Sequence, residues 1–186
     1  MVGNGHGKKV YVCLVVLTLL LASGCTGFQD ERATEIVSET DSIPWLTIPL
    51  TDIPTEEEFT LGSLMASGKP VIIHTFTTSC PACGAQFRES TDLQREYPDF
   101  SIVVGLNIDP GEGSATVRRY VERNGYQGLF VTAPAQLSIG LIETFGIRFM
   151  QSTPQTILLY NDTIYFLGPG VFSSEGLAAI IGDLSS

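Results

Sequence analysis

The sequence contains few basic residues. Lys and Arg total 10 among 186 residues, against 20 Asp and Glu, so the formal net charge is -10. Nucleic acids and anionic membrane surfaces are both bound through clustered Lys and Arg. The composition therefore predicts no nucleic-acid partner and no electrostatic binding to a lipid surface. Apolar residues make up 44% of the chain, which is enough for one domain of ordinary size with a tail.

Long apolar runs are also scarce, and the clearest one lies near the N-terminus. Lys8 and Lys9 precede an apolar run from Val10 to Ala22, which is shorter than the ~20 residues of a comfortable membrane span. A basic start followed by a short apolar run is typical of an export signal. If this segment is not removed, it remains as a short, tilted anchor. Both alternatives place the rest of the chain on the extracytoplasmic side of the membrane.

Cysteines are few, and their positions separate them into two groups. Of the four cysteines, Cys13 lies in the export segment. The sequence LASGC at 21–25 resembles the lipobox of exported lipoproteins, in which the cysteine, here Cys25, carries the lipid anchor. Cys80 and Cys83 then remain as the soluble thiols. No structural disulfide therefore competes with this pair.

The two remaining cysteines frame the sequence CPAC at 80–83. This segment follows an apolar run, Val71–Phe76, which we predict to be a buried strand, and a helix is predicted to begin at Pro81. Disulfide exchange needs a thiolate, and a free cysteine has a pKa of about 8.5. The N–H groups and dipole of a helix N-terminus stabilise an anion at Cys80, while Cys83, one turn further on, can attack a mixed disulfide. The pattern therefore indicates redox chemistry.

Acidic residues dominate the segment between the export signal and the predicted domain. From Thr26 to Glu58 there are nine acidic residues and a single basic one, Arg32. High charge with few apolar residues favours disorder. We therefore predict a signal peptide or lipoprotein anchor at 1–25, an acidic flexible tether at 26–43 and a folded domain at 44–186. The nine acidic residues are Asp30, Glu31, Glu35, Glu39, Asp41, Asp52, Glu56, Glu57 and Glu58.

Beyond the tether, short apolar runs alternate with helical patterns, which is typical of a sheet covered by helices. Two apolar runs flank Asn161-Asp162, a two-residue turn that predicts an antiparallel hairpin. These patterns predict an α/β fold. The predicted strands are 71–76, 101–109, 129–131, 155–160 and 163–167, and the predicted helices are 81–97, 114–124, 136–145 and 174–184.

Three features together resemble the thioredoxin fold: the CPAC segment after a strand, Ser-Thr-Pro at 152–154 before a hairpin, and a closing helix. The additional strand and helix between Ser101 and Asn124, with the export signal, are similar to the TlpA/ResA-type branch of membrane-tethered extracytoplasmic thiol-disulfide oxidoreductases. The resemblance implies a thioredoxin-like fold, with a central mixed β-sheet flanked by α-helices.

The resemblance also implies a role for each matching residue. Cys80 would attack or be attacked, Cys83 would resolve the mixed disulfide, and Pro154 would be cis. Thr153, the residue before it, would offer backbone hydrogen bonds to a substrate strand. The implied partners are protein thiols or disulfides and a membrane or soluble redox partner. No cofactor and no metal is implied.

Three positions depart from the family pattern. His74 stands where many thioredoxins carry a buried acid, and it is either a general base for Cys83 or a core histidine that is hydrogen-bonded to backbone and that burial keeps neutral. Ser79 replaces the tryptophan that usually flanks the first cysteine. Gln86 replaces a glutamate found in some tethered relatives and cannot transfer protons. The substrate surface and the proton handling are therefore expected to differ from those of the relatives.

Other functions remain open at this point. A peroxiredoxin-like thiol peroxidase is one alternative, because Thr77 precedes Cys80 by three residues. A client-binding module that keeps the fold and uses the Pro154 face is another. Copper handling needs only the two thiolates, whereas a structural zinc site needs two further ligands that the sequence does not supply. Asn161 also begins a glycosylation sequon, although the turn explains it.

Overall fold

The computed structural model describes residues 35–37 and 43–185. The predicted signal peptide or lipoprotein anchor at 1–25, its Cys25 and most of the predicted tether at 26–43 lie outside the described residues.

Eight strands and five α-helices are present in the described part of the chain. The strands are β1 (Glu35–Val37), β2 (Leu50–Thr51), β3 (Glu58–Phe59), β4 (Val71–Phe76), β5 (Ile102–Asn107), β6 (Leu129–Thr132), β7 (Gln155–Tyr160) and β8 (Thr163–Pro169). The helices are α1 (Leu61–Met65), α2 (Pro81–Glu96), α3 (Ser114–Asn124), α4 (Ala135–Phe145) and α5 (Ser174–Leu184), with 3-10 helices at Pro44–Thr47 and Ile147–Gln151.

Six of the strands form one mixed sheet in the order β1-β8-β7-β4-β5-β6, and β2 pairs with β3. β4, β5 and β6 run parallel to one another, while β7, β8 and β1 pair antiparallel. The predicted α/β fold with a central mixed sheet flanked by helices is confirmed. β1 is a strand that the sequence does not predict, and it lies inside the segment proposed as a tether.

The core lies on both faces of the sheet because β4, its central strand, is buried along its whole length. Val71 and Ile73 pack on one face with side chains from α1, α4 and both 3-10 helices. Ile72 and Phe76 point to the other face, where α2, α3 and α5 supply the contacts. Because helices cover both faces of the sheet, every residue of β4 is buried, and the strand does not alternate between apolar and polar residues.

The predicted hairpin between β7 and β8 is confirmed. Asn161 and Asp162 have φ angles of 48° and 56°, the left-handed conformation that a tight two-residue hairpin requires and that Asn and Asp tolerate. The hairpin places Thr163 opposite Tyr160 in register.

The outer edge of β6 is closed by Asp52, which is only 1% exposed. Its Oδ1 accepts a hydrogen bond from the backbone N–H of Phe130 at 2.7 Å, and the Ile53 N–H donates to the Phe130 carbonyl oxygen, also at 2.7 Å. Thr55 donates to Oδ2 of Asp52 through its N–H and its hydroxyl. The carboxylate thus acts as a strand partner for β6.

Candidate active site

The two cysteines of the CPAC segment lie at the N-terminus of α2. Cys80 is the N-cap residue, Pro81 opens the helix, and the N–H of Cys83 points at the Cys80 Sγ at 3.1 Å. The two sulfurs form a disulfide with a Cα–Cα separation of 5.3 Å. Cys83 is fully buried, whereas Cys80 is partly exposed. Cys80 is therefore the sulfur that an external thiol or disulfide can reach.

Thr153 and Pro154 lie beside Cys80, although they are more than seventy residues away in the chain. The Thr153 carbonyl oxygen is 3.6 Å from the Cys80 Sγ, and the Thr153–Pro154 peptide bond is cis, so the predicted cis conformation is confirmed. Pro154 is buried, while Thr153 keeps part of its surface open.

Backbone and hydroxyl contacts hold the segment around Pro154 against β4, the strand that leads to Cys80. Thr75 Oγ1 accepts from the Gln155 N–H at 2.9 Å, and the Pro154 carbonyl oxygen accepts from the Gly170 N–H at 3.1 Å. The Thr75 carbonyl oxygen lies 4.0 Å from the Cys83 Sγ. β4 and β7 are neighbours in the sheet, so the fold itself brings these segments together.

His74 lies in β4 and is fully buried. Its Nδ1 is 3.0 Å from the Thr156 hydroxyl and its Nε2 is 2.8 Å from the Ser90 hydroxyl. Burial lowers the pKa of His74 to about 3, so the ring is neutral near pH 7. Within the described residues neither ring nitrogen is hydrogen-bonded to a cysteine sulfur. These contacts favour the core-histidine alternative over the general base. The hydrogen-bond partners are side-chain hydroxyl groups, not the backbone groups expected from the sequence.

Gln86 makes contacts that the sequence did not indicate. It is fully buried, and its Oε1 accepts from the Phe172 N–H at 2.7 Å while its Nε2 donates to the Phe172 carbonyl oxygen at 3.2 Å. The same Nε2 lies 3.4 Å from the Ser90 hydroxyl. Gln86 follows Cys83 by three residues, so helical spacing places it on the buried face, a signal that sequence reasoning could have used. It ties α2 to the segment before α5.

Glu112 is a site residue that the sequence did not indicate. Its carboxylate accepts from the Thr78 N–H at 3.1 and 2.9 Å, from the Thr78 hydroxyl at 2.5 Å and from the Asn107 amide at 2.6 Å. Glu112 lies in the loop after β5, between Gly111 and Gly113 and close to Pro110. This composition is typical of a connecting loop and does not indicate a site residue. The usable signal was topological, because loops after adjacent parallel strands meet at one edge of the sheet.

An aromatic cluster packs against the cysteine pair from the α3 side. It consists of Phe76, Phe87, Tyr120, Tyr126 and Phe130, and Cys83 is part of the same cluster. Burial, followed by the hydrogen bond to the Tyr126 hydroxyl, raises the pKa of the Tyr120 phenol.

The cluster needs a glycine at the neighbouring position of β5. A Cβ on Gly105 would lie 2.5 Å from a ring carbon of Phe130 and 3.0 Å from the Phe87 ring. These rings could not remain in place beside any larger residue, because real Cβ atoms do not approach other atoms so closely.

The surface around Cys80 is built from small residues. Ser79, Pro81 and Ala82 are exposed, and Val171, next to the Gly170 that contacts Pro154, is 42% exposed. Ser79 stands in place of the tryptophan of the family pattern, so no large side chain directly precedes Cys80.

The described residues contain neither a cluster of metal ligands nor a membrane-spanning helix. No group of three or more His, Cys, Asp or Glu side chains there could hold a metal ion. None of the helices between residues 43 and 185 is long and apolar enough to cross a membrane. Asn161, the residue of the possible glycosylation sequon, is exposed at the hairpin turn.

Solved structures resemble this chain, although no protein-family model and no curated protein matches it. A protein described as a secreted Mycobacterium tuberculosis disulfide oxidoreductase homologous to E. coli DsbE is 15% identical, with a TM-score of 0.58, over 75% of this chain and 98% of that one. A DsbF homologue from Corynebacterium diphtheriae is 19% identical, with a TM-score of 0.58, over 84% and 91% of the two chains. Etrx1, a pneumococcal exposed lipoprotein thioredoxin from Streptococcus pneumoniae, is 17% identical, with a TM-score of 0.56, over 73% and 98%.

These similarities, together with the sheet order and the cysteine pair at the start of α2, establish that the chain has a thioredoxin-like fold. The sequence identities are too low to transfer activity from any of the three proteins. What this chain does must therefore be argued from its own site.

Proposed function

We propose that the chain is a thiol-disulfide oxidoreductase that exchanges electrons with extracytoplasmic protein thiols or disulfides through Cys80 and Cys83. The observation that carries the proposal is the asymmetry of the pair, with one sulfur partly open at a helix N-terminus and the other fully buried behind it. A purely structural disulfide does not require one accessible sulfur and one buried sulfur.

The reaction can be written from these two sulfurs. In the oxidised protein, a substrate thiolate attacks the Cys80 Sγ, the Cys80–Cys83 bond breaks, and Cys83 leaves as a thiolate. A second substrate thiolate then attacks the substrate sulfur of the mixed disulfide and releases Cys80. The substrate loses two electrons and the protein gains them. Reduction of a substrate disulfide follows the same steps in reverse.

Three neighbouring groups support this chemistry. The helix N-terminus and the Cys83 N–H, 3.1 Å from the Cys80 Sγ, stabilise the Cys80 thiolate. We assign substrate binding to Thr153 and Pro154, because the Thr153 backbone lies beside Cys80 and the residue remains partly exposed. An extended substrate segment can hydrogen-bond to that backbone as a strand does.

We also propose that the protein works at the outer face of a membrane, held by its N-terminal segment. The support comes from the apolar run at 10–22 and the lipobox-like sequence ending in Cys25. Two of the structural neighbours are described as secreted and as an exposed lipoprotein. Incorporation of a labelled fatty acid, abolished in a Cys25→Ala variant, is the expected outcome; retention of the label in that variant would rule out lipidation at Cys25.

The exchange proposal is tested by trapping. A full-length Cys83→Ser variant, reduced and then mixed with a disulfide-bonded model protein, is expected to form a mixed disulfide through Cys80 that reducing agent releases. The matched control is Cys80→Ser, which leaves the buried Cys83 as the remaining cysteine of the pair and is expected to trap nothing. Equal trapping by both variants, or none by either, contradicts the proposal.

A glutathione titration of the Cys80–Cys83 pair shows whether the protein reduces or oxidises its substrates. A reduction potential of about -270 mV, as in thioredoxin, indicates a reductant, and one of about -120 mV, as in DsbA, indicates an oxidant. The peroxidase alternative predicts instead rapid, stoichiometric oxidation of Cys80 by micromolar peroxide, whereas dithiol exchange predicts slow oxidation under the same conditions.

A further inference from the structure

The segment just before Cys80 is held by a carboxylate from another loop. Thr78, two residues before Cys80, gives both its N–H and its hydroxyl to Glu112. A further turn follows, because the Cys80 N–H donates to the Thr77 carbonyl oxygen at 3.2 Å. The path from the end of β4 to Cys80 is therefore fixed by one acidic side chain and one turn.

The carboxylate itself is held in place from a third direction. Asn107, the last residue of β5, donates to Glu112 Oε2 at 2.6 Å, and Asn107 lies in register with Phe76, the last residue of β4. All the donors that Glu112 receives are neutral. No cation takes part in these contacts, so the negative charge of the carboxylate is not offset within them.

Glu112 also lies near the aromatic cluster on which Cys80 packs. Its carboxylate acts electrostatically on Tyr120, a member of that cluster. Tyr126, the second phenol there, donates to the Gly84 carbonyl oxygen, and the Arg88 guanidinium approaches the same turn of α2, since its Nη1 would lie 3.7 Å from a Cβ on Gly84. Glu112 therefore places a negative charge beside the segment that leads into Cys80, and Arg88 places a positive charge beside the first turn of α2.

We propose that Glu112 is a positioning residue for Cys80, which fixes the Thr77–Ser79 segment and whose negative charge lowers the reduction potential of the cysteine pair. A carboxylate disfavours a second anion nearby, so it destabilises the Cys80 thiolate, the ionised form of the reduced protein. The disulfide is then favoured relative to the dithiol. The part of this inference that concerns the potential rests on the proposed exchange function.

The experiment compares Glu112→Gln with Glu122→Gln, both in the full-length protein. Glu122 is exposed on α3 and gives the same loss of one negative charge away from Thr78. Two quantities are measured: the equilibrium constant with glutathione, and the rate at which a small alkylating agent modifies Cys80 as a function of pH. Peptide mass spectrometry with fragmentation assigns the modification to Cys80 rather than to another cysteine.

In Glu112→Gln we expect the equilibrium constant for reduction by glutathione to rise by about three- to tenfold, where tenfold corresponds to about 30 mV for a two-electron couple. The alkylation profile should move to lower pH, because the thiolate forms more easily. Glu122→Gln should match the wild type within about twofold. If Glu112→Gln also stays within that range in both measurements, the proposal is overturned.

A second variant separates charge from conformation. Thr78→Val removes the hydroxyl donor but leaves the carboxylate and the Thr78 N–H, so its alkylation profile should stay in place or move to higher pH. A shift to lower pH in Thr78→Val would mean that loosening of the segment, rather than charge, controls Cys80, and would overturn the proposal. If the wild type does not equilibrate with glutathione while the Glu112→Gln alkylation profile shifts, the exchange function fails and the role of Glu112 stands.

Discussion

Two polar clusters lie near the cysteine pair, and they are built differently. One centres on Glu112, a partly exposed carboxylate that accepts hydrogen bonds from Thr78 and Asn107. The other consists of His74, Ser90 and Gln86, which are all fully buried. The first carries charge and the second is neutral.

Because of this difference, we expect one cluster to affect mainly the stability of the fold and the other to affect mainly the reactivity of the cysteine pair. A buried neutral network stabilises the fold, because any polar group in it that loses its partner also lacks water. A partly exposed charge contributes less to folding, since water screens it, but its field still reaches a neighbouring thiol. The buried cluster should therefore dominate stability and the exposed one reactivity.

The largest expected effect on stability belongs to His74. His74→Ala removes a buried ring and two hydrogen bonds, and should lower the free energy of unfolding by about 3 kcal/mol. Chemical denaturation of the disulfide-bonded protein at pH 7.5 measures this. A loss below about 1 kcal/mol would show that the buried cluster is not the stabilising one.

The contribution of His74 to the free energy of unfolding should depend on pH. Burial lowers the pKa of His74 to about 3 from the usual histidine value of 6.5, so between these values the unfolded chain binds a proton that the folded protein does not. The stability that His74 contributes is complete above about pH 6.5 and is lost as the pH falls towards 3, at about 1.4 kcal/mol per pH unit. The stability gap between wild type and His74→Ala should therefore narrow from pH 7 to pH 4.5. A constant gap would mean that the folded protein accepts the proton.

The next effect concerns Gln86. Gln86→Ala removes both hydrogen bonds to the Phe172 backbone and leaves a cavity, so it should cost about 2 kcal/mol in unfolding free energy. Gln136→Ala, an exposed substitution on α4, is the matched control and should change stability by less than about 0.5 kcal/mol. Equal losses in the two variants would contradict the role of Gln86 as a link between α2 and α5.

Glu112→Ala should cost less than either buried substitution. Its hydrogen bonds are partly open to water, and we expect about 1 kcal/mol, measured by the same denaturation. The two clusters would have to be considered equivalent if this loss reached that of His74→Ala.

The smallest effect is expected at a surface ion pair. Lys69 Nζ lies 3.2 Å from Asp99 Oδ1, with side-chain exposures of 43% and 90%. Asp99→Asn keeps a residue that tolerates the positive φ of 65° at this position and should change the unfolding free energy by about 0.5 kcal/mol or less. This value sets the scale against which the two clusters are compared.

Local patterns were sufficient for most of the fold and for the cysteine centre. The limits of β4, α3 and α5 agree with those predicted from hydrophobic periodicity, and the cis proline followed from the resemblance. Prediction failed where a contact joins distant parts of the chain. Gln86 meets Phe172 across 86 residues and Glu112 meets Thr78 across 34, and neither separation leaves a periodic trace.

β1 was missed for a related reason. It is an edge strand of three residues within an acidic segment, too short to produce alternation, and its pairing with β8 joins residues such as Ile36 and Tyr165. Such a strand is recognised only once the sheet it joins is known.

The carboxylate of Asp52 at the edge of β6 bears on how this protein meets other chains. An open strand edge is a template on which an extended peptide, or a second copy of the protein, can add itself. Here the N–H and the carbonyl oxygen of Phe130, in the middle of β6, are already hydrogen-bonded on the outer side to Asp52 and Ile53. Strand addition at that end of the sheet is therefore blocked by groups of the chain itself, so this edge is not a site at which two copies of the protein can join their sheets.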